Sequence, residues 1–235
     1  MNLYEIINKR RSVRKFTDEK IPEEIMKKCM SSSLLAANSS NLQPWEFYWI
    51  KNPDKKKQIV KACFSQSAAR TAREIVVSVS RIDTWSRNRD LIVANFKHQE
   101  KFLPIVDKYY NKIIPLIYFN DKLGLSCMLR SICSVLINII GIFKPVPRGP
   151  YTKSQLFESV TKTTALACQN FMMTLVAEGY DSCPMEGFDE KRVKKILGLN
   201  HNCHVVMIFG IGKADQNGIY YNRFRIDDKL VIKTI

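Results

Sequence analysis

Four segments carry the side chains best suited to binding or chemistry, and two of them are rich in arginine. The first, RRSVRKF at residues 10–16, supplies Arg10, Arg11, Ser12 and Arg14. Guanidinium groups form paired hydrogen bonds to phosphate oxygens, and a serine hydroxyl adds a short donor. Near the other end of the chain, Arg223 and Arg225 face the same side of an extended segment. Both segments predict binding of a compact anion; the alternatives are a basic helix end and an exposed basic edge.

The other two segments are a polar loop and a Pro-Gly segment. The loop, ANSSNLQPW at residues 37–45, carries Ser39, Ser40, Asn41 and Gln43. Amide side chains both donate and accept, so this loop suits a ligand with many ring heteroatoms; the alternative is a connector between a helix and a strand. The last segment, CPMEGFD at residues 183–189, contains Pro184, Met185, Glu186 and Gly187. A flat ligand could lie against its extended backbone, or the segment is a loop before a helix capped by Asp189.

Composition and charge exclude several classes of protein. The 235 residues are 46% hydrophobic and 25% charged, which is typical of a globular protein and not of a disordered or collagenous one. The net charge of +15 favours anionic partners, such as phosphate-bearing cofactors, nucleic acid or an acidic membrane face. Basic and aromatic residues mix around 85–101, but such a mixture is more often the solvated side of a helix, so we expect no nucleic-acid partner.

The cysteines and the apolar segments bear on compartment and membrane association. Seven cysteines are scattered without a CxxC pair, so we expect reduced thiols in a cytoplasmic protein. The histidines whose spacing comes closest to that of metal ligands are His201 and His204, three positions apart, and we expect no metal site there. The first 14 residues lack the apolar core of a signal peptide. The charge-free stretch 131–143 is too short to span a bilayer about 30 Å thick, so no transmembrane span is expected, although attachment to a membrane surface stays open.

Hydrophobic periodicity predicts alternating helices and strands. Helices are expected over residues 2–10, from Pro22 onward, and over 54–64, 156–178 and 189–197, with strands over 45–50, 74–80 and 203–210. Residues 84–150 are less regular, with helices expected around 85–101, 105–118 and 123–141. Neither a repeat nor a glycine-rich linker is visible, so a single α+β domain spanning residues 1–235 is the simplest organisation.

In this order and spacing, the four segments resemble the nitroreductase family of flavin enzymes. The similarity lies in RRSVRKF, NSSNLQPW, GYDSCPMEGFD and GIYYNRFR. It covers about 110 residues at the two ends of the chain, whereas residues 84–150 match poorly and correspond to the variable region of the family. The chain departs from the family pattern at Ala37 and Asn38, where members often have Pro-Ser.

The resemblance implies an α+β fold with a mainly antiparallel sheet flanked by helices, in an intertwined homodimer with FMN at the subunit interface. By matching position, Arg10, Ser12 and Arg14 would hold the phosphate end and the ring edge. Arg225 and Arg223 would reach the phosphate, and Arg11 belongs to the same set. Ser39, Ser40 and Asn41 of the partner subunit would contact the flavin, with Gln43 close by. The other face would be lined by Pro184, Met185, Glu186 and Gly187, with the Glu186 amide directed at the flavin N5.

The implied activity is that of an FMN-dependent oxidoreductase. It would take hydride from NADH or NADPH and reduce a nitroaromatic, a quinone or a related acceptor by a ping-pong mechanism. No catalytic side chain is expected, because the flavin N5 is the reactive centre. One alternative is a flavin-binding storage or sensor protein with little turnover. Another is a basic protein that binds nucleic acid or a membrane surface, which would be colourless and salt-sensitive in its binding.

Overall fold

A computed structural model describes residues 1–97, 103–119, 121 and 125–235 of the protein. Its described residues form a four-stranded antiparallel sheet in the order β1-β2-β4-β3. The strands are β1 (Trp45–Trp49), β2 (Glu74–Arg81), β3 (Asp181–Met185) and β4 (Cys203–Gly212). This arrangement confirms the predicted antiparallel sheet and the three strands expected from periodicity.

Helices surround the sheet. Their bounds are α1 (Leu3–Lys9), α2 (Glu23–Ser33), α3 (Pro53–Ala62), α4 (Ser67–Arg70), α5 (Trp85–Lys97), α6 (Pro104–Lys108), α7 (Ile114–Tyr118), α8 (Leu125–Phe143), α9 (Lys153–Ala177), α10 (Glu190–Leu197) and α11 (Asp228–Val231). A 3-10 turn spans Ser39–Asn41, and a π-helical turn spans Tyr109–Ile113. The predicted helix ends at residues 98–101 and 123–124 lie outside the described residues.

The central strand β2 is buried on both faces, which explains its composition. Its sequence EIVVSVSR is rich in β-branched residues, and alternate side chains enter different apolar clusters. Ile75 and Val77 pack in the cluster that includes residues of α3, α4 and α10, whereas Val76 packs in the cluster formed with α2 and α9. The sheet is therefore covered by helices on both sides.

Helix α9 is the longest helix among the described residues and connects the sheet to the rest of the fold. Thr152 and Gln155 form a capping box at its start, and Gly179, with φ +80°, follows its end as predicted. Its first turns include Leu156 and Val160, which belong to a third apolar cluster with residues of α5 and α7. Through this cluster, the described part of the region 84–150 is attached to the core.

The predicted helix over 105–118 is divided into three short segments, α6, the π-helical turn and α7. Pro115 lies in the first turn of α7. A proline has no amide hydrogen and its ring crowds the preceding turn, so a regular α-helical ladder cannot run through this position.

The sequence predicts an extended backbone between Pro184 and Gly187, and the structure places Pro184 and Met185 in strand β3. The strand occupies one edge of the sheet and pairs with β4 alone, so the missing amide hydrogen of Pro184 is tolerated there. Asp189 accepts a hydrogen bond from the amide of Arg192 at 3.1 Å, which confirms it as the cap of α10.

Two further expectations concern thiols and membranes. Cys29, Cys63, Cys133, Cys168, Cys183 and Cys203 are free thiols. Among the helices that the described residues form, none has both the length and the apolar character required to cross a bilayer.

We expect Gly210→Ala to lower the free energy of unfolding by about 1–3 kcal/mol, as overpacking does in other cores. A Cβ atom at this position of β4 would overlap the carbonyl oxygen of Ala68, which is backbone and cannot rotate away. Urea unfolding of the flavin-free protein measures the change. Gly187→Ala is the control, because a Cβ at Gly187 would have no protein atom within 4 Å. Equal stability of the two variants would contradict this account of β4 packing.

Candidate functional site

The two arginine-rich ends of the chain converge on one cavity, which we call the arginine cavity. Its volume is about 230 Å³. The side chains that line it include those of Arg10, Arg11, Ser12, Arg14, Arg223 and Arg225. Side chains more than 200 positions apart therefore lie around a single space, as the resemblance implied for these residues.

Hydrogen bonds between guanidinium groups and backbone carbonyls hold the two ends together. Arg223 donates from Nη2 to the carbonyl oxygens of Asn8 and Arg10, both at 2.6 Å. In the reverse direction, Arg11 donates from Nη2 to the carbonyl oxygen of Tyr221, also at 2.6 Å. Arg11 and Arg223 thus fasten each segment to the other. Arg14 and Arg225 make no such bond to the opposite segment in the described structure, and their guanidinium groups remain exposed.

The sheet sets the position of the N-terminal segment. Ser12 forms an isolated parallel bridge with Ser182 of β3, and the amide of Val13 donates to the Ser182 carbonyl at 3.1 Å. On the other side, the amide of Arg14 donates to the carbonyl of Gly218 at 2.7 Å. Val13 is fully buried between these contacts. Because Val13 faces the core, its neighbours Ser12 and Arg14 are directed outward.

The arginine cavity carries positive charge that the described residues do not neutralise. None of its five guanidinium groups forms an ion pair with a described carboxylate, whereas the adjacent Lys15 pairs with Asp215 at 3.3 Å. Partial burial lowers the pKa of Arg10, and the positive charges of Arg223, Arg225 and Arg11 lower it further. A bound phosphate would relieve this repulsion and accept several hydrogen bonds. The donor set therefore fits the phosphate end of FMN.

A second cavity adjoins the first and provides an apolar wall. This α1–α9 cavity has a volume of about 560 Å³ and shares Arg10, Ser12, Arg223 and Arg225 with the arginine cavity. Its other lining residues come from three elements: Ile7 and Asn8 of α1, Gln169, Met172 and Met173 of α9, and Pro184 of β3. A phosphate-binding end that continues into a wider, partly apolar space matches a ligand with a phosphate at one end and fused rings at the other.

Residues 184–187 differ in how they lie relative to this cavity. Pro184 lines the α1–α9 cavity, but the Met185 side chain is buried in the core, so only its backbone is available to a ligand. Glu186 and Gly187 are exposed beyond the end of β3. Gln66 donates from Nε2 to the Gly187 carbonyl at 2.9 Å and fixes this turn. The space above Gly187 is open, as close approach of a ligand requires.

The polar loop has an unusual backbone. Ser40, Asn41 and Gln43 have φ angles of +57°, +51° and +47°. Residues other than glycine seldom adopt this left-handed region, and each costs of order 1 kcal/mol, which the surrounding contacts must offset. One such contact is internal, since the Asn38 side chain accepts a hydrogen bond from the Gln43 amide at 2.9 Å. Asn38 is one of the two positions at which the chain departs from the family pattern.

The remaining restraints on the loop come from the region 84–150. Tyr110 donates its hydroxyl to the Ser40 carbonyl at 2.8 Å, and the hydroxyls of Tyr109 and Ser40 are 2.6 Å apart. Asn88 of α5 donates from Nδ2 to the carbonyls of Leu42, at 2.7 Å, and Gln43, at 3.2 Å. The Leu42 side chain is buried in the third apolar cluster. The loop is therefore held in its left-handed conformation by α5 and the π-helical turn.

Within one protomer, the loop and the arginine cavity do not meet. Asn41 and Gln43 line a third cavity together with residues of α5, and none of its lining residues belongs to the first two cavities. The structure thus brings the arginines and Pro184 together but leaves Ser39, Ser40, Asn41 and Gln43 elsewhere. The arginines and the polar loop therefore line separate spaces of the described chain.

Sequence reasoning missed two groups of residues. One group lines the α1–α9 cavity from helices: Ile7, Asn8, Gln169, Met172 and Met173. Gln169 is a polar residue within an apolar helical pattern, and this break in the pattern could have indicated the lining of a cavity. The other group comprises Asn88, Tyr109 and Tyr110, which hold the loop from 45 to 70 positions away. No local pattern marks such long-range contacts.

Comparison with known proteins identifies the family. Residues 7–213 match the sequence model of the Nitroreductase family. The chain belongs to the nitroreductase family. YdgI of Bacillus subtilis (strain 168), named as an NAD(P)H nitroreductase, is 26% identical over 226 residues, which cover 95% of this chain and 93% of YdgI. The resemblance stated from the four segments is thereby confirmed.

Solved structures of nitroreductases share the fold. The nitroreductase ydfN from Bacillus subtilis superimposes with a TM-score of 0.75 at 19% identity, covering 99% of this chain and 98% of ydfN. A nitroreductase in complex with FMN from Exiguobacterium sibiricum 255-15 gives a TM-score of 0.72 at 22% identity, covering 100% and 98% of the two chains. At these identities the comparison establishes the nitroreductase fold, with its antiparallel sheet flanked by helices.

We expect Asn88→Ala to loosen the polar loop without unfolding the protein. The substitution removes the donor to the Leu42 and Gln43 carbonyls, so amide exchange in residues 38–44 should accelerate roughly tenfold. Hydrogen-exchange mass spectrometry measures this rate. Asn8→Ala is the matched control, since the Asn8 side chain also donates to a backbone carbonyl, that of Tyr4, on the surface of α1. Equal exchange in the loop of both variants would show that α5 does not restrain it.

Proposed function

We propose that this nitroreductase-family protein is an FMN-dependent oxidoreductase that takes hydride from NADH or NADPH. It then reduces a nitroaromatic, quinone or related acceptor by a ping-pong mechanism. The observation that carries the proposal is the convergence of five guanidinium groups, without a described carboxylate partner, at one end of a partly apolar cavity. The name of YdgI and the FMN complex of the structural neighbour support it.

The residues around the two cavities divide into two roles. Arg10, Arg14 and Arg225 would hold the phosphate, because none of their guanidinium groups donates a hydrogen bond to a described carbonyl of the opposite segment; Arg14 stacks over the Tyr220 ring, which leaves its N–H groups able to donate. Arg11 and Arg223 would position that set through their bonds to backbone carbonyls. Ser12 would add a short hydroxyl donor to the ring edge or the phosphate.

The opposite face of the ring would rest on the backbone from Pro184 to Gly187. FMN, when bound, supplies the hydride chemistry, which needs no protein nucleophile. The protein residues therefore orient the ring, leave one face open to donor and acceptor in turn, and stabilise negative charge with nearby arginines. Sequential use of one open face is the physical basis of the ping-pong order.

A homodimer would complete the site, with Ser39, Ser40 and Asn41 of the partner subunit, and Gln43 close by, brought to the flavin. Helix α8 supports association because its apolar residues are unusually exposed. Six of them repeat at alternating spacings of three and four: Leu125, Met128, Ile132, Val135, Ile139 and Ile142. Each is at least 51% exposed. An apolar surface this continuous is typical of an interface with another chain.

We expect the double variant Arg14→Ala/Arg225→Ala to retain less FMN than the unaltered protein. Two charge-assisted contacts to the phosphate would be lost, so affinity should fall at least roughly tenfold. Flavin absorbance after dialysis measures the occupancy. Lys191→Ala/Lys195→Ala removes the same charge from the surface of α10 and should retain FMN. Equal retention by both double variants would reject the phosphate assignment.

Turnover separates the proposed enzyme from a flavin store or sensor. The purified protein should be yellow and should oxidise NADH or NADPH in the presence of menadione or nitrofurazone. A yellow protein without this activity would indicate storage or sensing. A colourless protein that binds DNA or anionic vesicles in a salt-dependent manner would overturn the flavin proposal altogether.

We expect a sedimentation mass near 54 kDa for the unaltered protein, twice the chain mass of 27.2 kDa. Ile132→Glu/Ile139→Glu should shift it towards the monomer, because two charges would enter the exposed apolar surface of α8. Lys55→Glu/Lys61→Glu on α3 is the control and should leave the mass unchanged. Sedimentation velocity measures all three proteins. A flavin-loaded monomer would contradict a site shared between subunits.

A further inference from the structure

The third cavity, which we call the α5 cavity, lies between the polar loop and α5. Its volume is about 520 Å³, within the range of small-molecule sites. Six of its lining residues matter here: Asn41, Gln43 and Trp45 from the loop and β1, and Arg87, Leu91 and Phe96 from α5. The region that resembles the family least therefore forms one entire wall.

One part of the cavity lining is apolar and the other part is polar. Trp45 is buried, while Leu91 is 65% exposed and therefore presents apolar surface to whatever occupies the space. Asn41 and Gln43 contribute amides that can donate and accept. Such a lining suits a conjugated ring with a polar substituent.

Arg87 supplies the charge in this cavity. It is exposed and forms no ion pair with a described carboxylate, whereas Arg89, two residues later, forms one with Asp90. Arg87 donates from Nε to the Asn88 side chain at 2.9 Å, and Asn88 in turn donates to the Leu42 carbonyl. The guanidinium group is thus oriented by the residue that holds the polar loop. Its terminal nitrogens remain available to a ligand.

We propose that the α5 cavity binds electron acceptors that carry an anionic group, such as a carboxylate or sulfonate, on a conjugated ring. The apolar wall would contact the ring, and Arg87 would bind the anion. The proposal rests on the proposed function, because Asn41 and Gln43 are the loop residues assigned to the flavin. Arg87 becomes a determinant of acceptor specificity, and it lies in the part of the chain where family members differ most.

Equilibrium binding tests this inference without turnover. Naphthalene-2-sulfonate and 2-naphthol share a ring system and differ in charge, and calorimetry on the holoprotein gives a dissociation constant for each. Arg87→Gln should weaken binding of the sulfonate relative to the naphthol roughly tenfold, as loss of a hydrogen bond to a charged group does. Arg87→Lys should recover part of the preference. Lys191→Gln, which removes one positive charge elsewhere, should leave the preference unchanged.

Kinetics extends the test to acceptors. For the holoenzyme we expect Arg87→Gln to lower the ratio of kcat/KM for 1,4-naphthoquinone-2-sulfonate to that for menadione roughly tenfold, chiefly through KM. An unchanged ratio, or an equal loss with both quinones, would overturn the inference. A rise confined to the KM for NADH or NADPH would overturn it as well, since Arg87 would then serve the phosphates of the donor. Absence of turnover by the flavin-loaded protein would refute the proposed function, while the calorimetric preference would still decide the role of Arg87.

Discussion

Repulsion between Arg10 and the nearby Arg223, Arg225 and Arg11 is the constraint around which the rest of the site is arranged. Like charges this close oppose folding unless other contacts hold them. Two of the arginines provide that restraint, since Arg11 and Arg223 bind backbone carbonyls of the opposite segment. The bridge between Ser12 and β3 provides more. The positive charge that remains is available to an anionic ligand.

The polar loop is a second strained feature of the structure. It holds three left-handed residues that are not glycine, and it is restrained by its own Asn38 side chain, by α5 and by the π-helical turn. Helix α5 and the π-helical turn lie outside the four segments that carry the resemblance, yet they shape one of those segments. Because α5 also forms a wall of the cavity beside that loop, substitutions in α5 would alter the cavity lining and the restraints on the loop together.

Local sequence patterns predicted the elements whose burial is regular. Strand β2 was recognised because it is β-branched and buried on both faces, and α9 because its apolar residues follow helical spacing. Strand β3 was expected only to be extended, since the tolerance of Pro184 depends on its edge position. The helix over 105–118 was predicted as continuous, but Pro115 and the π-helical turn divide it. The prediction was incomplete for β3 because its structure depends on pairing with a distant strand. It was wrong for the helix over 105–118 because a local interruption overrides the hydrophobic periodicity.

The residue types and their spacing determined that the chain has two arginine-rich ends, a polar loop and a Pro-Gly segment, and hence its family. Which of these meet was decided only by the tertiary structure. Arginines from both ends and Pro184 share adjoining cavities, whereas Asn41 and Gln43 face a separate one beside Arg87. The physical reason is that side-chain chemistry is encoded locally, while convergence depends on hydrogen bonds and packing between segments far apart in the chain.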